Sequence, residues 1–338
     1  MIQNLEKLCS ISGISGREKA VSEEIEQQIK GHCEYHYDNL GNLIAVKKGK
    51  NQANHKVMIS AHMDEVGMII TSVTSDGMLR FAPVGGIDSR VLIGRSVLVG
   101  EKMYGVIGTK AVHLQSPEER KTAVKSDDLF IDIGAIDKED ALKHISLGES
   151  VCFDSPFVSF GNGFLKGKAI DDRFGCALMI RMIQSDLEYD TTFVFCVQEE
   201  VGLRGAKAAA YTVNPDFAIV CEATTAADVA DVPDNKKVCK LGNGAVVSYM
   251  DHRTVYDKEL YDLAFSTAQE HQIACQTKTM VAGGNDAGAI HTSRGGVRTM
   301  AISIPCRYLH SPSCVIQQQD MESCYQLVRL MAERIQKL

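Results

Sequence analysis

Apolar residues recur along the chain with two different spacings, and the texture changes twice. Near the N-terminus Val21, Ile25 and Ile29 lie four apart, which predicts one buried face of a helix. Ser15 followed by Glu18 is a capping-box pattern that opens this helix, and Gly31 is its C-terminal stop. Val57-Met58-Ile59-Ser60-Ala61 then reads as a short buried strand. From about Met68 to Phe164 short apolar runs alternate with glycine breaks at Gly85-Gly86, Gly94, Gly100, Gly105 and Gly108. Val97-Leu98-Val99 and Val106-Ile107 look like strands of a small barrel or sandwich. After Gly167 strands and helices alternate again. Helical patterns cover Arg173–Gln184, Tyr256–His271 and Gln319–Lys337, and strands cover Thr192–Val197, Phe217–Cys221 and Thr299–Ile304.

The pattern predicts an α/β fold. Residues 1–67 and 165–338 form one three-layer helix–sheet–helix domain, interrupted by a small all-β, barrel-like insertion over 68–164.

Composition narrows the function classes. The 338 residues are 45% hydrophobic and 23% charged, with a formal net charge of -7, as in an ordinary soluble globular protein. There is no basic stripe interleaved with aromatics, so nucleic acid is not an expected partner. No stretch approaches the roughly 20 apolar residues of a membrane helix, and the first residues lack the basic and apolar regions of a signal peptide. The expected location is the cytoplasm, with no membrane partner. The 11 cysteines are scattered without a Cys-x-x-Cys pair. Several, such as Cys196 and Cys221, lie in apolar runs and read as buried reduced thiols.

Histidines and acids cluster where predicted strands end. His62 and Asp64 follow the Val57–Ala61 strand, and residues two apart on extended chain point the same way. Asp64 can then accept a hydrogen bond from one imidazole nitrogen, leaving the other for a metal. Asp171-Asp172 either caps a helix or supplies one carboxylate that bridges two metals and a second that orients His62. Glu199-Glu200 follows the Thr192–Val197 strand, where open α/β sheets bind ligands. It is either a solvated loop or a functional pair: Glu200 a ligand, Glu199 a base that takes a proton from water. Glu222 follows the Phe217–Cys221 strand, and His310 lies a few residues past Thr299–Ile304. Together, two histidines, one bridging carboxylate and two terminal carboxylates make a nitrogen/oxygen set for two zinc-like ions.

Five segments carry a family resemblance over nearly the whole chain. They are His62-Met63-Asp64-Glu65-Val66-Gly67, Ala169-Ile170-Asp171-Asp172-Arg173, Val197-Gln198-Glu199-Glu200-Val201-Gly202, Gly283-Gly284-Asn285-Asp286-Ala287 and Pro305-Cys306-Arg307-Tyr308-Leu309-His310-Ser311-Pro312. In order and separation they resemble the tetrahedral aminopeptidases, metallopeptidase family 42, which includes glutamyl and deblocking aminopeptidases. The resemblance implies a zinc-dependent exopeptidase fold and hydrolysis of the N-terminal residue of short peptides. It implies two divalent cations, zinc or cobalt, one on His62, Asp171 and Glu222 and the other on Asp171, Glu200 and His310. Glu199 is then the general base and Asp64 the orienter of His62. A cis Asp171–Asp172 peptide bond is also implied. The insertion becomes a dimerisation domain, and the assembly a homo-oligomer, a dimer or a tetrahedral twelve-subunit particle. Two positions depart from the family: Glu222 stands where Asp is usual, and Asn285 where Thr is usual, with a pocket wall as the expected place of change.

Other chemistries compete. A deacylase or carboxypeptidase on the same fold would use the same centre. An endoglucanase needs two carboxyls flanking a sugar bond about 5–9.5 Å apart, which adjacent Glu199 and Glu200 do not suit, and it has no use for the two histidines.

Overall fold

The computed structural model describes residues 1–100 and 102–338. An eight-stranded sheet runs in the order Glu34–Tyr37, Leu43–Lys47, Thr191–Cys196, Val57–His62, Phe217–Thr225, Arg298–Cys306, Ala245–Val247, Cys275–Thr277. The four central strands, from Thr191–Cys196 to Arg298–Cys306, are mutually parallel, and Leu43–Lys47 and Ala245–Val247 flank them antiparallel. All six residues of Val57–His62 are buried, as expected where helices cover both faces.

Alternate residues serve different layers. Val57, Ile59, Phe193, Phe195, Ile219 and Cys221 join one core with the helices Lys19–Ile29, Ile170–Ile183 and Gln318–Ile335. Met58, Val194, Cys196, Ala218 and Val220 join a second core with Ala206, Ala209, Ala210 and Ile290, from the helices Arg204–Val213 and Ala287–Ile290. The predicted three-layer sandwich is therefore present.

The insertion is a closed antiparallel barrel of Gly67–Val73, Leu79–Val84, Phe130–Asp132, Met103–Gly108, Ser96–Val99 and Ser150–Phe153. It has its own core of Met68, Ile70, Leu79, Phe81, Val97, Val99, Ile107, Ile131, Val151 and Phe153. Beyond it, Phe164–Gly167 pairs with Val158–Phe160 on one side and Cys314–Gln317 on the other. The chain crosses between the two bodies twice, near Glu65 and near Lys168. At these crossings Lys168 Nζ donates to Glu65 Oε1 and Oε2 at 2.7 and 2.9 Å, and both side chains are buried.

Among the described residues all 11 cysteines are free, nine of them buried, and no helix is long and apolar enough to cross a membrane.

The opening of the Lys19–Ile29 helix differs from the expectation. Its N-terminus has no side-chain cap. Ser15 Oγ donates instead to Asp64 Oδ2 at 2.6 Å, and Glu18 Oε1 accepts from Gly16 N at 2.7 Å and Gln198 N at 3.0 Å. Both side chains have longer-range partners that compete with the local cap.

Candidate metal centre

His62 ends its strand at the carboxyl edge of the sheet, where open α/β folds place their ligands. Val220 pairs with Ser60, so two residues further along each strand bring Glu222 beside His62. Glu222 Oε1 lies 3.6 Å from His62 Nε2. The sequence predicted Glu222 just past a strand, but it lies inside one. Phe217–Thr225 keeps its ladder to Arg298–Cys306 along its whole length, while its ladder to Val57–His62 stops at Val220.

The Asp171–Asp172 peptide bond is cis, and the pair divides the two readings of it. Neither residue has helical dihedrals. Asp172 Oδ1 accepts from Gly175 N at 2.9 Å, the bond of a helix cap. Asp171 faces the site instead: Oδ1 lies 3.2 Å from His62 Nε2 and Oδ2 lies 3.3 Å from His310 Nε2. One carboxylate thus meets both histidines, each through a different oxygen. His310 Nε2 also lies 3.5 Å from Glu200 Oε1, and its Nδ1 donates to the Gly86 carbonyl at 2.8 Å. The barrel therefore supplies part of the site. Gly85 beside it has φ +86, and a Cβ there would sit 2.8 Å from Val66 Cγ1 and 3.2 Å from Glu200 Cβ, so a larger residue would fit neither the backbone nor the space.

The turn carrying Glu199 and Glu200 is held by its backbone. Three successive amides are accepted in turn: Gln198 N by Glu18 Oε1, Glu199 N by Asp64 Oδ1 at 3.0 Å and Glu200 N by Asp64 Oδ2 at 3.1 Å. The fully buried Asp64 has a different geometry from the one expected. His62 Nδ1 donates to its backbone carbonyl at 3.0 Å, and its carboxylate stands 3.5 Å away, occupied by the two amides and Ser15. Nothing in the local sequence pointed to Ser15 and Glu18 as supports of this turn, since the same two residues satisfy a capping box.

Burial and charge act against each other here. Burial opposes the cationic form of His62, but Asp171, Asp64 and Glu222 outweigh it and hold its pKa well above the ordinary value. Burial likewise opposes charge on Asp171, yet His310 and His62 hold its carboxyl low. Burial, reinforced by Asp171 next door, pushes Glu200 up to about 7 and Glu222 well above the usual carboxylate range. Glu199 is pushed up by burial and by the neighbouring carboxylates of Asp286, Glu200 and Asp171. So many buried carboxylates around two imidazoles are stable as anions only with compensating cations.

The donors are grouped accordingly. Ligand atoms of His62, Asp171 and Glu222 lie within 4.8 Å of one another, as do those of Asp171, Glu200 and His310, and of His62, Glu199 and Glu200. The first two groups share Asp171, and their imidazole and carboxylate donors suit zinc-like ions. They line a cavity of about 460 Å³ with Glu199, Gly86, Leu203, Ala223, Thr225, Arg253, Gly283, Gly284 and Leu309. Asn285 is not on this wall. It is buried behind it, donating to Tyr256 Oη at 3.1 Å and accepting from Ala287 N at 2.9 Å.

A mixed α/β sandwich with an inserted barrel and a nitrogen/oxygen donor cluster at the strand ends defines a metal-dependent hydrolase. The model of the M42 glutamyl aminopeptidases matches residues 41–327, and the chain belongs to that family, whose members are metallopeptidases acting on peptide bonds. A putative aminopeptidase of Acetivibrio thermocellus is 38% identical over 340 residues, covering 99% of this chain and 98% of that protein. An aminopeptidase of the archaeon Desulfurococcus kamchatkensis superposes with a TM-score of 0.93 at 33% identity, over 98% of this chain and 94% of its own. The TET1 peptidase of Pyrococcus horikoshii, which can assemble into a tetrahedron or a large octahedral shell, gives 0.86 at 36% identity over 98% of both chains.

Proposed function

We propose that the chain removes the N-terminal residue from short peptides using two divalent cations, zinc or cobalt. His62, Asp171 and Glu222 hold one, and Asp171, Glu200 and His310 hold the other. The observation that carries this reading is the placement of Asp171 between two separate histidine–carboxylate sets, one oxygen toward each. Bound there, the cations supply Lewis acidity, lowering the pKa of water from ~15.7 toward ~7 and polarising a carbonyl. Glu199 accepts the proton of the attacking water and returns it to the departing amine. No donor of the described residues hydrogen-bonds its carboxylate, while Asp64 fixes its amide. Glu222 accommodates its extra methylene by folding back, its Oε1 accepting from Ala223 N at 3.0 Å.

Chelation is the direct test. EDTA should stop hydrolysis of aminoacyl anilides, and zinc or cobalt should restore it, with two equivalents per chain by elemental analysis. A carboxylate-only glycosidase would be indifferent to chelator. Blocking the substrate amine separates the remaining chemistries: a deacylase would accept the acylated peptide, whereas an aminopeptidase would not.

The barrel is the proposed dimerisation domain, spanning 68–164. Tyr104 and Val106 point outward from one of its strands, and with Val112, Leu114 and Ile136 they leave large apolar side chains exposed. This is the composition of a surface that another copy covers. Tyr104→Glu should shift the assembly to smaller species in size exclusion with light scattering. An unchanged mass would place the interface elsewhere.

A further inference from the structure

Among the residues lining the site cavity, Arg253 is the single arginine or lysine, facing a wall that carries Asp171, Glu199, Glu200 and Glu222. Arg307, just past the carboxyl end of the strand Arg298–Cys306, is paired with Asp228. Among the described residues no carboxylate lies within ion-pair reach of Arg253, and its side chain is exposed. Its position is nevertheless built. Asp251 Oδ1 accepts from Arg253 N at 2.7 Å and Thr254 N at 2.8 Å, and Asp251 Oδ2 accepts from Tyr256 Oη at 2.6 Å. Asn285 joins the same network through Tyr256. Two glycines make room for the stem. A Cβ on Gly284 would lie 2.9 Å from Arg253 Cδ, and one on Gly288 would lie 2.8 Å from Arg253 Cβ. On the reading proposed above, two divalent cations balance the four carboxylates of the wall. The guanidinium is then the uncompensated charge of the cavity.

We propose that Arg253 pairs with a carboxylate of the substrate peptide and so sets which peptides are taken. Guanidinium presents planar, paired donors that match a carboxylate. A peptide offers that group in two places, on an acidic N-terminal side chain or at the C-terminus of a dipeptide. This assignment rests on the aminopeptidase reading but fails separately from it.

The test compares the wild-type holoenzyme with Arg253→Gln on four substrates: glutamyl and leucyl p-nitroanilide, leucylglycine and leucylglycine amide. Losing a charge-assisted pair should reduce kcat/KM by about 10- to 100-fold on the substrate that carries the recognised carboxylate, chiefly through KM. Cation content should not change, and the loss on leucyl anilide, which carries no carboxylate, should be at least about tenfold smaller. A loss confined to glutamyl anilide identifies the side chain, and a loss on leucylglycine but not its amide identifies the C-terminus. Equal losses on all four, no loss on any, or a fall in bound metal would overturn the proposal. A wild-type holoenzyme that cleaves none of the four overturns the aminopeptidase reading beneath it, and this assignment with it.

Discussion

Glu199→Gln should keep both cations and lower kcat by about 10²–10⁴-fold, the usual contribution of a positioned general base. Glutamine has the same size, and the amide of residue 199 would still donate to Asp64, so the turn and its neighbour Glu200 stay in place. What disappears is the ability to accept a proton. The outcome is informative because Glu199 also lies within 4.8 Å of the donor atoms of His62 and Glu200, close enough to serve as a ligand. Elemental analysis separates the two roles. Full metal with lost turnover marks a base, one equivalent lost marks a ligand, and wild-type turnover removes Glu199 from the mechanism. The pH profile adds a second readout. Burial and neighbouring carboxylates favour the protonated acid, whereas a base must be ionised, so activity should fall toward acid pH as Glu199 gains its proton.

Lys168→Met should destabilise the protein by about 3–5 kcal/mol, the usual cost of removing one partner from a buried ion pair. Glu65 would lose its nearest cation in a site where it is 2% exposed. Its remaining neighbours are the Gly13 amide at 3.0 Å and Arg173 Nη2 at 3.6 Å, and Arg173 is committed to the carbonyls of Met63, Leu8 and Ile11. Urea denaturation of the cation-loaded protein measures the change. Pairing Lys168→Met with Glu65→Gln should recover only part of it, since the buried Arg173 guanidinium then loses its one carboxylate neighbour and keeps its carbonyl partners. A midpoint unchanged in the single variant would mean that water reaches Glu65. Because the pair joins both crossings into the barrel, and the barrel's Gly86 holds His310, the single variant should also bind its second cation more weakly.

Periodicity made most of the sandwich legible. Runs such as Val57–Ala61 and Thr192–Val197 are buried on both faces and bounded by polar residues, so hydrophobicity alone marks them. The centre was legible because its donors fall at strand ends, and strand ends are sequence-local events. What the sequence hid depends on distance along the chain. Glu222 was placed after its strand because a carboxylate is a poor strand residue, and only the sheet register shows that the ladder continues beneath it. Ser15 and Glu18 satisfy a capping box equally well whether or not they cap. Their true partners, Asp64 and Gln198, lie 49 and 180 residues away. Gly85-Gly86 reads as a break between strands, and no local pattern reveals that a carbonyl there holds His310. Arg253 carries no motif at all and is exposed only as a member of the cavity wall.

The support of the Gln198–Glu200 turn by Ser15, Glu18 and Asp64 has a dynamic consequence. Two of those three residues belong to an N-terminal arm that carries none of the chemistry. The arm is anchored by Leu5, Leu8, Val21 and Ile25, all fully buried in the main core, so its opening is a sub-global event and not the fraying of a chain end. Each time the arm lifts, the Gln198 amide loses its acceptor and Asp64 loses the hydroxyl that steadies it. The order of the reactive turn is thus capped by the docking free energy of a segment more than a hundred residues upstream. Hydrogen exchange at residues 198–200 should follow the arm's opening rate and not that of the sheet from which the turn emerges.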